Sequence, residues 1–373
     1  MKTFEYIYDG LEPLDNLTNL TCKDDILFFD IETTGLSRSK NHIYLIGIGH
    51  YIDKGLKIIQ WIADSETEEL LILKEFISYS SSFATLVNYN GKSFDIPFTK
   101  ERLNKYNLIM PELSSIDIYT YIKPLRKILS LNDLTQKTIE QFLGIKREDK
   151  YNGGELIKVY KQYEVANDNE LLSLLLLHNK EDVKNMHYLT KMLDYTSLNN
   201  LTVNFYHVEI NEYTDYNNIL KKEYIIHGLH NLNNITKGFN TFKSSEYGSL
   251  LMSFSSNGDI SIRIPIFEGT LYYYIDNYKD YYYLPYEDIC ILKTMAGGVL
   301  KENKMNATKE TCKIKLSTSF IPFFGTDDEC FSVRLFKDGF KSKNTFIRTE
   351  DFINMSDEQK SMYLNSIYQY LFI

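Results

Sequence analysis

Long apolar runs are missing from this 373-residue chain, and with them any segment of the ~18 to 20 residues needed to cross a bilayer. No membrane association is expected. Cysteine is scarce and scattered: Cys22, Cys290, Cys312 and Cys330 form no CxxC pair, which argues against a zinc site and against a disulfide framework. These thiols are expected to be reduced and structural. An excess of basic residues is missing too, since 41 Lys and Arg stand against 50 Asp and Glu for a formal net charge of −9. The chain as a whole will therefore not cling to nucleic acid by bulk electrostatics, although a local basic patch is compatible with that balance. The opening MKTFEYIYDG has no apolar core or small-residue cleavage site, so a secretory signal is not expected and the protein reads as cytoplasmic.

What is present is an ordinary globular composition, 43% hydrophobic and 24% charged, in a chain long enough for two domains. Within it, ILFFDIETTGL (Ile26 to Leu36) is unusual. Ile26 to Phe29 form the short apolar run of a buried strand, yet the run ends in Asp30 and Glu32. Residues two apart on a strand point to the same face, so two like charges project side by side. Such a pair is costly unless a cation or a proton neutralises it.

Taken in order, His42 to Tyr51 and Leu56 to Ala63 read as two more strands joined by a turn at Asp53 to Gly55, making three antiparallel strands. Ser65-x-x-Glu68 reads as a capping box opening a helix to Ser80, followed by a strand over Thr85 to Asn90. A helix is expected from Asp95 to Tyr106, a short strand at Ser114 to Tyr119, and helices over Tyr119 to Leu129, Asp133 to Leu143 and Gly154 to Tyr163. Asn167-x-x-Glu170 is expected to cap a last helix that ends near Tyr195 and carries Leu171, Leu174, Leu175, His178 and Asp182 on one face. Strands followed by helices suit an α/β sheet covered on its faces. Beyond a polar linker at Ser197 to Thr202, short β-like runs such as VNFYHVEI, ISIRIPIF and TLYYYI predict a smaller, β-rich α+β domain. Helices are expected at Tyr286 to Met295 and Ser356 to Leu371 within it. The domain division is thus an extension at 1–22, a first domain at 23–196 and a β-rich accessory domain at 197–373.

Asp95 in NYNGKSFDIP, and His178 and Asp182 in HNKEDV, add to the opening pair the order Asp-x-Glu, Asp, His-x3-Asp. Four carboxylates converging on one cleft suit two hard divalent cations, Mg2+ or Mn2+, which take oxygen ligands. Two such ions are a standard device for in-line phosphoryl displacement.

DIETTGL, NGKSFDIP and HNKEDV resemble the three motifs of the DEDD superfamily of RNase H-like 3′-5′ exonucleases. More closely, the chain resembles the bacterial YprB-like RNase H-like family, a match that takes in IYLIG, DIYTYIKPLRKILSLNDLTQKTIEQFLGIKRED and YNGGELIKVYKQY and spans about Lys23 to Tyr195. That resemblance implies an α/β RNase H-like fold with a mixed central sheet flanked by helices. It implies hydrolysis of terminal phosphodiesters of nucleic acid, with a single-stranded 3′ end as substrate, two metal ions held by Asp30, Glu32, Asp95 and Asp182, and His178 as the base that takes a proton from water. The histidine subclass has its base five residues before the last Asp, which is Leu177 here, whereas the tyrosine subclass has it four before, which is His178. The resemblance further implies that Thr33, Thr34, Gly35 and Leu36 hold the terminal nucleotide and that Asn90, Lys92 and Phe94 contact substrate. A structure-specific endonuclease with the same metals and a silent nucleic-acid-binding adaptor are the competing readings.

Plainer roles stand beside these. Asp95 also suits the first turn of a helix, His178 suits a core edge below leucines, and Asp117 suits a helix cap better than a fifth acid of the cleft. The tyrosines of the second domain are expected to pack on one another, and the lysines between Lys293 and Lys315 to form a solvated face. Neither the sequence nor the resemblance speaks to DNA against RNA or to oligomeric state.

Overall fold

The structure is a computed structural model describing residues 1–232, 235, 237–245, 247–325 and 331–372. Residues 1–199 form one compact unit and the bulk of residues 200–373 a second.

The first unit begins with β1 (Lys2–Asp9) and a single turn of helix, α1 (Asp15–Thr18), then β2 (Ile26–Thr33), β3 (Ile43–Ile52) and β4 (Gly55–Ile62). It continues through α2 (Glu69–Ser80), β5 (Thr85–Asn88), α3 (Asp95–Lys105), β6 (Ser114–Asp117), α4 (Ile118–Ile122), α5 (Gln136–Leu143), α6 (Gly153–Ala166) and α7 (Asn169–Leu189). The strands make one mixed sheet in the order β1-β4-β3-β2-β5-β6, with β1 to β4 antiparallel neighbours and β5 and β6 added parallel to β2. Pleating divides the sheet between two cores. Leu27, Phe29 and Ile31 pack against Ile72, Phe76 and Phe98 on the α2 and α3 side. On the other side Tyr44, Leu45 and Ile62 pack against Leu156, Tyr160, Leu172 and Leu175 of α6 and α7. Asp30 and Glu32 lie on that α7 side, as the period of two requires.

Residues 1–22, expected to be an extension, are instead built into this unit. Strand β1 pairs with β4 along its length, from Lys2 opposite Ile62 to Asp9 opposite Gly55. It covers what would otherwise be an exposed apolar edge, and Lys180 and Lys184 of α7 rest on the rings of its Tyr6 and Tyr8.

Four local expectations are also corrected. Ser65 and Glu68 form no capping box: Ser65 bonds the Thr67 hydroxyl, while Glu68 accepts from the Asp64 N–H at 2.8 Å and pairs with the amine of Met1. The arrival of the chain's first residue diverts Glu68 from its own helix. Asn167 closes α6 in the left-handed region at φ 49°, and it is Asp168 that caps α7 by accepting from the Glu170 N–H at 2.6 Å. The helix foreseen over Tyr119 to Leu129 stops at Ile122 and passes into a 3-10 turn, because Pro124 has no N–H to extend the ladder. The last helix, expected to end near Tyr195, stops at Leu189, and 3-10 turns over Thr190–Asn200 take in its expected end and the start of the linker expected at Ser197 to Thr202.

The second unit is β-rich. Strands β7 (Val203–Thr214), β8 (Leu220–His230), β9 (Phe239–Ser245), β10 (Gly248–Phe254) and β11 (Asp259–Pro265) form an antiparallel sheet in the order β7-β8-β11-β10-β9. Strands β12 (Phe267–Tyr274), β13 (Tyr281–Leu284), β14 (Ile289–Leu292), β15 (Met305–Asn306), β16 (Lys313–Phe323) and β17 (Thr345–Arg348) make two three-stranded sheets, β12-β16-β17 and β14-β13-β15. Helices α8 (Thr349–Asn354) and α9 (Asp357–Phe372) close the chain. The helix expected at Tyr286 to Met295 is the hairpin strand β14 followed by a 3-10 turn. Asp288, at φ 50° and bonded to the Tyr283 hydroxyl at 2.8 Å, makes the turn, and the β-branched Ile289 and Ile291 favour the strand.

Three of the lysines expected to form a solvated face pack on tyrosine rings instead. Lys293 and Lys304 both lie over the Tyr282 ring, at 5.3 and 5.2 Å, and Lys313 lies over Tyr272 at 4.6 Å. Cys22, Cys290 and Cys312 are free thiols, while Cys330 lies outside the described residues. Among the described residues no helix is long and apolar enough to cross a membrane.

Candidate metal centre

Asp30 and Glu32 reach the α7 side where β2 keeps β3 as a neighbour but has lost β5. Its parallel pairing with β5 ends at Phe28 opposite Val87, and a bulge separates Glu32 from Thr33 on the β3 side. The N–H of Ile31, between the two acids, is thereby left to Asp95, whose Oδ1 accepts it at 3.1 Å. Asp95 is the first residue of α3 and is buried. One side chain thus serves as the helix-start acid and as a neighbour of the opening pair.

The last two groups come from α7, one turn apart. His178 Nε2 lies 3.2 Å from Asp182 Oδ2 and 3.5 Å from Glu32 Oε1. Ligand atoms of Glu32, His178 and Asp182 all fall within 4.8 Å of one another. Asn179, next along the helix, donates from Nδ2 to Asp30 Oδ2 at 2.8 Å and accepts from Gln60 Nε2 at 2.7 Å. It approaches β3 over Gly47, where a Cβ would sit 2.1 Å from the Asn179 Oδ1. Glycine is required there by contact rather than by backbone angle.

Burial and mutual repulsion set the proton affinities. Burial pushes Glu32 up to about 7, against the pull of His178 and with the help of Asp182 and Asp95. Burial likewise lifts Asp95 to about 7, partly offset by the Ile31 N–H. Asp30 is raised well above the ordinary carboxyl range by burial and by the charges of Asp182, Asp95 and Glu32. For His178, burial acts downward, but the hydrogen bond to Asp149 and the charges of Asp182 and Glu32 outweigh it and raise the imidazole to about 9. Three carboxyl groups held short of full ionisation, beside a fourth acid and an imidazole, are a donor set that fits a divalent cation. The cation would supply the positive charge that otherwise has to come from protons.

Some of the residues around this centre gave no sign in the sequence. Arg147, in the segment between α5 and α6, donates to Asp182 Oδ1 at 2.5 Å, Glu140 Oε1 at 3.1 Å and Asp149 Oδ2 at 3.1 Å, and lies 3.6 Å from Glu181 Oε2. Asp149 in turn meets His178 Nδ1 at 2.7 Å. Both residues stand in the RED run of LGIKRED, but about 30 residues of chain separate them from His178 and Asp182, and no period links the two segments. Asn179 lies inside HNKEDV, where its neighbours drew the attention.

The expected substrate contacts are arranged as follows. Thr33 is buried and its hydroxyl donates to the Gly35 carbonyl at 2.9 Å. Thr34 accepts from the His42 N–H at 3.1 Å, and Gly35 packs against the side chain of Asn41. Leu36 projects from this tethered loop, 82% exposed. The N–H groups of Asn90 and Lys92 are both held by Asp117, at 2.7 and 3.0 Å, and Asp117 also caps α4 through Tyr119. Asp117 therefore fixes the loop that leads to Asp95. The Phe94 ring turns inward against Phe98, at 5.4 Å, and the Lys92 side chain is exposed.

Residues 27–194 match the RNase H superfamily. The uncharacterized protein YprB of Bacillus subtilis (strain 168) is 28% identical over 165 residues, which is 43% of this chain and 40% of YprB, so the chain spans well under half the length of that relative. Among solved structures, the family B DNA polymerase of the hyperthermophilic archaeon Pyrobaculum calidifontis has a TM-score of 0.39 at 16% identity, over 46% of this chain and 25% of that one. The zinc-bound E. coli ExoI–ssDNA complex has a TM-score of 0.29 at 10% identity, over 55% and 54%. Brucella melitensis NrnC bound to pGG has a TM-score of 0.25 at 18% identity, over 49% and 87%. These scores are too low to add to the sequence matches. Residues 27–194 thus form an RNase H-like domain that is similar to part of YprB.

Proposed function

We propose that the chain is a metal-dependent 3′-5′ exonuclease of the DEDD type, which hydrolyses terminal phosphodiester bonds of nucleic acid and releases nucleoside 5′-monophosphates. The observation that carries this reading is the convergence of Glu32 from β2 with His178 and Asp182 from α7, their ligand atoms within 4.8 Å of one another, with Asp30 two residues from Glu32 and Asp95 bound to the Ile31 N–H between them. Asp30, Glu32, Asp95 and Asp182 would hold two ions of Mg2+ or Mn2+, which supply an activated water at neutral pH and neutralise the phosphate oxygens that gain charge.

The protein's own part is positioning and proton transfer. The tethered loop from Thr33 to Leu36 receives the terminal nucleotide of a single-stranded 3′ end, with the exposed Leu36 against its base. Asn90 and Lys92 lie beside the strand, and Phe94 backs their loop from within the core. Water forms a new bond to phosphorus as the bond to the 3′ oxygen breaks, and the water's proton passes to His178 Nε2. In the protein without metal, the hydrogen bond to Asp149 and the charges of Asp182 and Glu32 raise that imidazole; a cation held by Asp182 and Glu32 would offset the part due to those two charges. Free Cys22, Cys290 and Cys312 agree with a reducing, cytoplasmic setting.

Digestion of end-labelled DNA and RNA strands with Mn2+ tests the reading. Single-nucleotide ladders from the 3′ end are expected; internal cuts would replace it with an endonuclease, and binding without products with an adaptor.

A further inference from the structure

His178 has two ring nitrogens, and only one orientation and one tautomer put a lone pair where the acids converge. A buried imidazole without a partner on Nδ1 is free to flip or to exchange tautomers. In this site Nδ1 has a partner, since it lies 2.7 Å from Asp149 Oδ2, and Nε2 is thereby turned toward Glu32 and Asp182.

Asp149 is itself held on several sides. Its carboxylate accepts from Arg147 at 3.1 Å, from Lys137 at 2.9 Å and from the Tyr151 N–H at 3.0 Å, and its own N–H donates to Glu181 at 2.9 Å. Arg147 reaches on to Asp182 Oδ1, so that Oδ2 is the atom left facing His178. One guanidinium thus orients two of the three carboxylates that flank the imidazole, Asp149 and Asp182. Against burial, the hydrogen bond from His178, with those from Lys137 and the Tyr151 N–H, holds Asp149 well below the usual carboxylate range.

We propose that Asp149 is a positioning residue for His178, fixing the ring's orientation and keeping the proton on Nδ1 so that Nε2 presents its lone pair to the reacting water. The proposal rests on the nuclease reading above. It also accounts for a histidine at the four-residue spacing: the ring is steered by a carboxylate from the α5 to α6 segment and not by its own helix alone. Arg147 and Lys137 reach the same Oδ2 that faces Nδ1, while the Tyr151 N–H takes Oδ1, so the single amide oxygen of Asp149→Asn cannot serve both sides. The variant loses the carboxylate charge that fixes the Nδ1 proton and meets a donor on whichever side its NH2 takes.

The test is a double-mutant cycle on a labelled single strand at saturating Mn2+. Asp149→Asn is expected to lower kcat by roughly 10- to 100-fold with little change in KM. In a His178→Ala background it should cost nothing further, since the group it acts through is gone. A loss that multiplies with that of His178→Ala, or an unchanged kcat in the single variant, would overturn the proposal. Should Asp149→Asn fail to fold, the wild-type protein decides: imidazole 15N shifts with Mg2+ bound are expected to place the proton on Nδ1, and a proton on Nε2 would overturn the proposal. Absence of any hydrolysis by the wild-type protein would defeat the nuclease reading instead, and the 15N measurement would still judge the Asp149–His178 pairing.

Discussion

Asn179 donates to Asp30 at 2.8 Å across the space left by a missing side chain at Gly47. Asp30 pairs with Gly47, and Gly47 with Gln60, so the three residues that Asn179 relates lie in one row across β2, β3 and β4. Gln60 completes the row by donating to Asn179 at 2.7 Å. The carboxylate of Asp30 is therefore aimed by a helix residue that can come close only over glycine.

Replacing Gly47 with alanine should undo that aim. The added carbon would sit 2.1 Å from the amide oxygen of Asn179. The cost is expected to be about 1 to 3 kcal/mol, as for other overpacked sites. Chemical denaturation measures it, and calorimetric titration should show weaker Mn2+ binding. A variant with wild-type stability and wild-type affinity would mean that α7 accommodates the methyl group without moving Asn179.

Arg147→Met should be far more damaging. Glu140, Asp149, Glu181 and Asp182 would keep their charges with the shared cation gone, and all of these groups are largely buried. Removing one partner from a buried charge group costs about 3 to 5 kcal/mol. A shift in the urea midpoint reads the loss directly, and a change below about 1 kcal/mol, the range of exposed pairs, would show that the cluster is solvated.

Asp30→Asn separates chemistry from folding. Loss of a charged ligand should abolish turnover. The metal-free variant should melt no lower than the wild type, because Asp30 is held against its own ionisation by burial and by three neighbouring acids. Substantial remaining activity would remove Asp30 from the site.

The pH dependence follows from the raised groups. Glu32 and Asp95, with ordinary values of 4.5 and 3.8, bind protons more tightly when folded and reach about 7. Their contribution to stability is full below the ordinary values and is lost as pH rises to about 7. His178, raised from 6.5 to about 9, contributes fully below 6.5 and loses its contribution as pH rises through about 9. Both effects have the same sign, while the lowered imidazoles of His187, His42 and His50 act in the opposite sense below about 6.5, so the melting temperature in EDTA should fall from about pH 6.5 to about pH 9. Mn2+ competes with those protons and should flatten the fall while binding more tightly at higher pH. Melting curves with and without the ion give the answer, and a rise in the EDTA series over that range would contradict the electrostatics of the site.

The opening strand and the main helices were legible because each is announced locally. ILFFDIET shows its burial as an apolar run and its two acids as an interruption, and β5, α3 and α7 carry their turn and periodicity signals within themselves. Where the reading failed, a distant segment had intervened. Glu68 has the spacing of a capping box but bonds to residues at the sheet edge and the chain's first amine, and β1, short and half polar, becomes a strand because β4 needs a partner. At Tyr286 to Met295, apolar residues compatible with a helix were decided by the pairing available along β13.

By itself the sequence determined which acids stand on which elements, and hence that Asp30 and Glu32 share a face and that His178 and Asp182 lie one helical turn apart. Those relations follow from backbone periods of 2 and 3.6, which no fold alters. Only the tertiary structure decided what surrounds them: Asn179 over Gly47 on one side, Arg147 and Asp149 on the other. Those contacts join residues 29 to 149 positions apart in the chain. No backbone period links such positions, and packing alone brings their side chains within hydrogen-bonding distance.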